Sequence, residues 1–269
     1  MTPTIFEIKN VSYAYANGIH AIDAVSFDVK QGERVAILGA NGSGKSTLLK
    51  LMAALYFPTS GEITAFGRKL TAHTLSDPQF RKTFRQKIGF VFQDSDVQLF
   101  CPTVWEEVAF GPLQLDLPHE EVVQRTIDSL ALLGVEDLKD RFPYQLSGGE
   151  KKRVAIAATL AINPEILLLD EPTNGLDPRT QKVLVELLWE LSKAGKTIIL
   201  CTNDLSILED VSDRVLVMSE DHRLLAEGKP HDILADTDLL LKANLIHEHF
   251  HKHGEELHLH RHSHTTDHA

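Results

Sequence analysis

The chain has 269 residues, 43% of them hydrophobic and 24% charged, with a formal net charge of −11, a balance that suits an α/β protein with one large core or two lobes. The acidic excess argues against a nucleic-acid-binding face, which needs basic residues along a phosphate backbone. No apolar run approaches the roughly 20 residues of a membrane-spanning helix, and residues 1–10 lack the basic and apolar segments of a signal peptide, so the expected compartment is the cytoplasm, with any membrane association supplied by partners.

Residues 4–11 and 25–29 alternate and carry β-branched members, the pattern of strands in an N-terminal antiparallel layer. Residues 33–38 form a short apolar run that leads into a glycine-rich loop. Residues 45–55 then place Leu48, Leu49, Met52 and Leu55 at helical spacing. Residues 88–92 read as a further strand. Between 103 and 134 helix dominates: Pro118 suits a first turn, Val123, Ile127 and Leu130 form a stripe, and Gly134 suits the stop. After Ser147, residues 150–161 predict a helix and 165–169 a strand. Residues 178–194 predict a helix with Val183, Leu187 and Leu191 inward, and 196–201 and 214–218 two more strands. Such strand–helix alternation implies a parallel sheet covered on both faces, interrupted by a helical insertion. Cys101 and Cys201 form neither a disulfide framework nor a zinc pattern and read as small semi-buried residues of a reducing compartment.

Gly39, Ala40, Asn41, Gly42, Ser43, Gly44, Lys45, Ser46 and Thr47 fit G-x-x-x-x-G-K-[ST] between a strand and a helix. Glycines let the loop wrap so that backbone N–H groups converge on phosphate oxygens, and the helix N-terminus adds its positive end. Lys45 reaches the β- and γ-phosphates, and the Ser46 hydroxyl ligates Mg²⁺. Chance alone produces this pattern in such a chain on the order of one time in a hundred. The strand of residues 165–169 ends in Asp170 and Glu171. Asp170 suits a Mg²⁺ held through its water shell, and Glu171 suits the polarisation of the water that attacks the γ-phosphate. Ser147, Gly148 and Gly149 then form a second anion site: a helix-capping serine followed by exposed backbone N–H groups. The chain thus carries two separate anion-binding stretches, the phosphate loop and the start of this helix.

With Leu146, Ser147, Gly148, Gly149 and Glu150 in place, the sequence resembles the nucleotide-binding subunits of ABC transporters, and the resemblance extends to about residue 228. It implies an α/β P-loop NTPase (RecA-like) core with an N-terminal antiparallel β layer and an inserted α-helical subdomain. The core comprises residues 1–93 and 151–228, the helical subdomain 94–150, a C-terminal helical extension 229–246, and a flexible histidine-rich tail 247–269. It implies ATP and Mg²⁺ as cofactors, ATP hydrolysis coupled to transport, and no nucleic-acid partner. The partners implied are a second ATPase subunit, with a homodimer favoured, and transmembrane coupling and substrate-binding subunits at the cytoplasmic face of the membrane. Ser147, Gly148 and Gly149 resemble the signature that contacts the γ-phosphate bound by the opposite subunit. Gln93 resembles the glutamine that senses Mg²⁺ and the attacking water. Asn174, Gly175, Leu176 and Asp177 resemble the loop that crosses the dimer interface, and Tyr15 the aromatic that stacks on adenine, with Tyr13 as competitor. Where the family carries a switch histidine, this chain has Asn203, which donates a hydrogen bond but carries no proton or positive charge. Hydrolysis is expected to survive through Glu171, at a slower rate.

The stretch from Phe92 to Phe100, followed by Pro102, Thr103, Val104, Trp105, Glu106 and Glu107, resembles energy-coupling-factor ATPases, most of all cobalt and nickel importers. Leu99, Phe100, Val104 and Trp105 place apolar bulk where a partner's coupling helix docks. The tail holds nine of the fourteen histidines, with His247, His249, His251, His253, His258, His260, His262 and His264 in His-x-His repeats. Neutral imidazole suits Ni²⁺, Co²⁺, Cu²⁺ and Zn²⁺, so metal capture competes with a pH-responsive charge and a merely solvated tail. The expected function is an ATPase driving uptake of Co²⁺ or Ni²⁺. Alternatives are the same machine with a vitamin or other small solute, and an ABC-type ATPase outside transport. A GTP-binding switch fails for want of an Asn-Lys-x-Asp motif.

Overall fold

The structure, a computed structural model, describes the backbone of residues 2–253 and 256–263 and the side chains of residues 2–246. In chain order it contains β1 (Thr4–Ala14), β2 (His20–Lys30), β3 (Arg34–Leu38), α1 (Lys45–Met52), β4 (Ser60–Ala65), β5 (Arg68–Lys69), α2 (Pro78–Lys87) and β6 (Ile88–Val91). There follow α3 (Ser95–Gln98), α4 (Val104–Gln114), α5 (His119–Leu132), α6 (Gly148–Ala161), β7 (Ile166–Asp170), α7 (Pro178–Lys193) and β8 (Thr197–Thr202). The last are α8 (Leu208–Val211), β9 (Arg214–Met218), β10 (Leu224–Gly228), α9 (Pro230–Ala235), α10 (Thr237–Lys242), β11 (Ile246–His253) and β12 (Glu256–Ser263). The chain divides into two compact units, residues 1–70 with 201–269, and residues 71–200.

In the first unit the antiparallel layer has the order β2-β1-β4-β5. Its two long strands outrun the periodicity that announced them because register shifts between Ile8, Val11 and Tyr13 break the alternation of β1 while its pairing with β2 continues. Strand β4 has little sequence signal of its own and owes its strand conformation to pairing with β1, Phe6 opposite Ala65 and Ile8 opposite Ile63. The fully buried run of β3 lies parallel to β9, Val35 opposite Arg214 and Leu38 opposite Val217. Strand β10, absent from the sequence reading, pairs antiparallel with β9; it is only half-buried. Arg214 closes this region through Glu33 (Nε to Oε1, 2.6 Å) and Glu227 (Nη1 to Oε1, 2.6 Å). The tail, expected to be flexible, has strand backbone in β11 and β12, with His247 opposite His262, His249 opposite His260 and His251 opposite His258. The expectation for His264 lies outside the described residues.

In the second unit β8, β7 and β6 are neighbours in that order, β6 parallel to β7 with Ile88 opposite Ile166 and Val91 opposite Leu169. Helix α2 went unread although its signals are present. Asp77 caps it by accepting from the N–H groups of Gln79 and Phe80, Pro78 opens it, and Phe80 and Phe84 bury one face. Two helical stripes are corrected. In α5 the buried residues are Val122, Thr126, Ser129 and Leu130, Ile127 is exposed, and Pro118 stands before the helix as its cap rather than within it. In α7 Leu184 and Leu188 are buried while Val183 is exposed. Both helices have leucine or valine on adjacent positions, so more than one 3.6-residue stripe fits, and packing selects among them. Among the described residues no helix is long and apolar enough to cross a membrane.

Candidate nucleotide site

The first unit presents the phosphate-binding loop. Gly44 precedes α1 at φ +103°, and a Cβ there would lie 2.1 Å from the Ala21 carbonyl oxygen. Only glycine combines that dihedral with that approach. Lys45 is buried, and its Nζ donates to the carbonyls of Gly39 (2.8 Å) and Ala40 (3.1 Å), which holds the ammonium at the loop. The Ser43 hydroxyl is buried with no hydrogen-bond partner. A buried polar group left so is costly, and a phosphate oxygen is the acceptor such a loop offers it. The donor chemistry of the loop therefore fits a nucleotide phosphate, and the Ser46 hydroxyl beside it is a hard oxygen of the kind Mg²⁺ takes.

Tyr15, half-buried, shares a 2.7 Å hydroxyl–hydroxyl bond with Thr47 of α1. Tyr13 stacks face to face on Tyr56, centroids 5.4 Å apart, and Tyr15 meets both edge-on. The competitor's ring face is thus covered by a neighbour. Asn203, Ala40 and Asn41 line one recess of about 290 Å³ together with Glu220, Asn244 and Leu245. Asn244 donates to Glu220 at 2.8 Å. The sequence reading missed these last three residues, because only the folding of β9 and α10 brings them beside the loop.

The second unit carries the carboxylates and the capped helix. Asp170 ends β7 and Glu171 follows it, both buried, and Glu171 stands at φ +45°, outside the ordinary range of a non-glycine residue. Gln93 is exposed just past β6. Ser147 caps α6 in a reciprocal box. Its hydroxyl accepts from the Glu150 N–H, and Glu150 Oε2 accepts from the Ser147 N–H and hydroxyl at 2.8 Å each. Those bonds, the backbone one foremost, hold the Glu150 carboxyl below its ordinary range. Ser147 and Gly148 are exposed, and a Cβ on Gly148 would meet nothing within 4 Å, so the helix start stands open for an anion. A Cβ on Gly149 would come within 3.8 Å of Leu176, which brings the capped helix beside the segment of Asn174, Gly175, Leu176 and Asp177. Asp177 caps α7 by accepting from the N–H groups of Arg179 and Thr180. Its carboxyl is lowered, first by the Thr180 hydroxyl.

Two further residues escaped the sequence reading. Lys152 is buried on α6 and donates to the carbonyls of Gln93 (2.6 Å) and Phe92 (3.2 Å). Glu107 is buried on α4, and its carboxylate accepts from the N–H groups of Phe100 (2.8 Å) and Cys101 (2.7 Å), which shapes the turn before that helix. Of the expected apolar bulk, Val104 belongs to the core, Leu99 and Trp105 are half-buried, and Phe100 is exposed, as are Val97, Phe110 and Leu113 nearby.

Burial, and then Glu107, push the Cys101 thiol up to about 11. At pH 8 this leaves on the order of a hundredfold less thiolate than in an unperturbed cysteine. Alkylation of the folded protein by iodoacetamide is expected to be correspondingly slow at Cys101, and Glu107→Gln to accelerate it. Mass spectrometry of the Cys101 peptide over time measures both.

The ABC transporter family model matches residues 22–174. The chain is 45% identical to the nickel import ATP-binding protein NikO of Rhodobacter capsulatus, over 91% of this chain and 97% of that one. It is 44% identical to the energy-coupling factor transporter ATP-binding protein EcfA of Methanothermobacter thermautotrophicus, over 90% of this chain and 76% of that one. Among solved structures it is similar to the ATP-binding cassette MJ0796, seen as a dimer in a post-hydrolysis state with ADP and Pi. That match has a TM-score of 0.75 and 34% identity, over 84% of this chain and 99% of that one. The chain belongs to the ABC transporter family, as an ATP-binding subunit with a P-loop α/β fold that takes ATP with Mg²⁺ and hydrolyses it to drive transport.

Proposed function

We propose that two copies of this chain bind two ATP molecules between them. The residues from Gly39 to Thr47 of one copy cradle the triphosphate, and Ser147, Gly148 and Gly149 of the other close on its γ-phosphate. The observation that carries this reading is the open, capped start of α6, an anion site on the same chain as a complete phosphate loop. Tyr15 stacks on adenine, and Lys45 supplies a point charge to the β- and γ-phosphates. When bound, Mg²⁺ neutralises charge on the β- and γ-oxygens; Ser46, Asp170 and Gln93 would hold it. Glu171 orients and polarises the attacking water. Asn203 donates a hydrogen bond near the γ-phosphate without carrying charge, which supports slower turnover than histidine gives.

The cargo we propose is Ni²⁺ or Co²⁺, moved through separate membrane subunits at the cytoplasmic face of the membrane. The nickel import role named for the Rhodobacter relative supports it, as do the tail histidines. The density of these histidines in the sequence suits transition-metal ions, which take neutral imidazole. The exposed Val97, Phe100, Phe110 and Leu113 suit a coupling helix of the membrane partner. The energy-coupling-factor relative favours the second reading, the same machine with another small solute.

Cells expressing the chain with its membrane subunits are expected to accumulate Ni²⁺ or Co²⁺ well above cells carrying Glu171→Gln. Truncation after Leu245 is expected to depress uptake at limiting metal and spare it at saturating metal. Equal accumulation in wild type and Glu171→Gln removes the metal reading. Equal uptake by the truncated chain at limiting metal removes the tail from it.

A further inference from the structure

Lys152 occupies a position that ordinary helix energetics disfavours. It lies near the N-terminal end of α6, where the helix dipole repels a cation, and it is only 4% exposed. Taking an ammonium out of water costs several kcal/mol unless neighbours compensate. Burial accordingly pulls its pKa down, and the carboxylates of Asp170, Asp94 and Glu171 oppose that pull. The compensation is specific: two carbonyl oxygens, those of Phe92 and Gln93, accept from Nζ at 3.2 and 2.6 Å. Its neighbour Lys151 grips the same segment further along, through Asp96 at 2.5 Å. Asp96 is exposed, so that pair contributes little by itself. Together the two lysines bind residues 92–96 to the helix that Ser147 caps.

This arrangement joins three parts that the proposed mechanism uses separately. One helix begins with the residues that read the partner's ATP. About one turn on, its buried cation holds the main chain of Gln93 and lies in the field of the carboxylates that act on the chain's own ATP.

We propose that Lys152 is a positioning residue for hydrolysis, tying the capped helix to Gln93 and to the Asp170–Glu171 pair, so that closure on one nucleotide sets the water-activating groups at the other. The inference rests on the shared-site reading given above. A residue of this kind acts after ATP is bound. Removing it lowers kcat without weakening the nucleotide's grip on the phosphate loop, and misplacement by about an ångström costs on the order of a hundredfold.

The test uses the full chain in its complex with the membrane subunits. Lys152→Met keeps the length of the side chain and deletes its charge. Its kcat is expected to fall by roughly tenfold or more, with the KM for ATP near that of wild type. Lys152→Arg, which keeps the charge and can still donate to the carbonyls, is expected to recover most of the loss. In a Glu171→Gln background, Lys152→Met is expected to leave the ATP-dependent dimer intact, which shows that folding and binding survive. A wild-type kcat in Lys152→Met overturns the proposal, as does a rise in KM without a fall in kcat, or an Arg variant no better than Met. Should the Met variant fail to fold, Lys152→Ala, which likewise removes both the donor and the charge, is held to the same criteria. If Glu171→Gln itself hydrolyses at the wild-type rate, the fault lies in the underlying site assignment. If Glu171→Gln is inactive and Lys152→Met normal, only the role of Lys152 is lost.

Discussion

Replacement of Glu171 by glutamine is expected to abolish steady-state hydrolysis and to trap an ATP-dependent dimer. The substitution is nearly isosteric and leaves the backbone of β7 and the capped start of α6 untouched. It removes only the basicity of a buried carboxylate at the end of a fully buried strand. General-base contributions are worth about 10² to 10⁴ in rate, so phosphate release should fall by that order. The nucleotide then persists, and with it the contact through Ser147, Gly148 and Gly149. Size-exclusion chromatography with and without ATP reads the dimer, and a phosphate-release assay reads the rate. A Glu171→Gln protein that remains monomeric at saturating ATP sinks the shared-site arrangement. A normal rate would move the base elsewhere, and then the positive φ of Glu171 would have no role in hydrolysis.

Gly44→Ala is the second substitution with a large expected effect, and its reason is steric. At φ +103° an alanine is strained by roughly 1–3 kcal/mol, and its Cβ would lie 2.1 Å from the carbonyl oxygen of Ala21 and 3.0 Å from Ile22 Cδ1. The carbonyl belongs to β2, which is paired with β1 along its length, so it has no freedom to retreat. The loop and the start of α1 must shift instead, and the amides that converge on the phosphates shift with them. ATP binding is expected to weaken by roughly tenfold or more, since about 1.4 kcal/mol is tenfold in affinity, and the melting temperature to drop. Gly42→Ala supplies the control. Gly42 also has positive φ, at +85°, but its Cβ meets nothing within 4 Å, so it carries the strain without the collision. Titration with a fluorescent ATP analogue compares the two, and equal losses would show that dihedral strain, not the approach to Ala21, governs the loop.

Several site residues were legible because their chemistry is local. The run from Gly39 to Thr47 announces a phosphate loop through the dihedrals and N–H groups its own residues supply. Ser147 and Glu150 announce a capped helix at a fixed spacing of three. Other features stayed silent because a distant partner creates them. The choice between Tyr13 and Tyr15 depends on Tyr56, whose ring covers Tyr13 across the turn after α1. Lys152 reads as one more surface lysine in a basic run until β6 is placed against α6. The stripe of α7, and that of α5 apart from Leu130, were misread by one position because their sequences offer more than one apolar face.

The sequence by itself determined the phosphate loop, the acid pair after a buried strand, the capped glycine pair and the family they identify. Each is a short stretch whose backbone conformation and hydrogen-bonding groups follow from its own residues. Only the tertiary structure decided which lysine is buried against Gln93, which tyrosine has a ring face stacked on Tyr56, and that β4 and β10 are strands at all. Those outcomes depend on pairing and desolvation between segments far apart in the chain, and no local pattern encodes a free energy that arises only when the two surfaces meet.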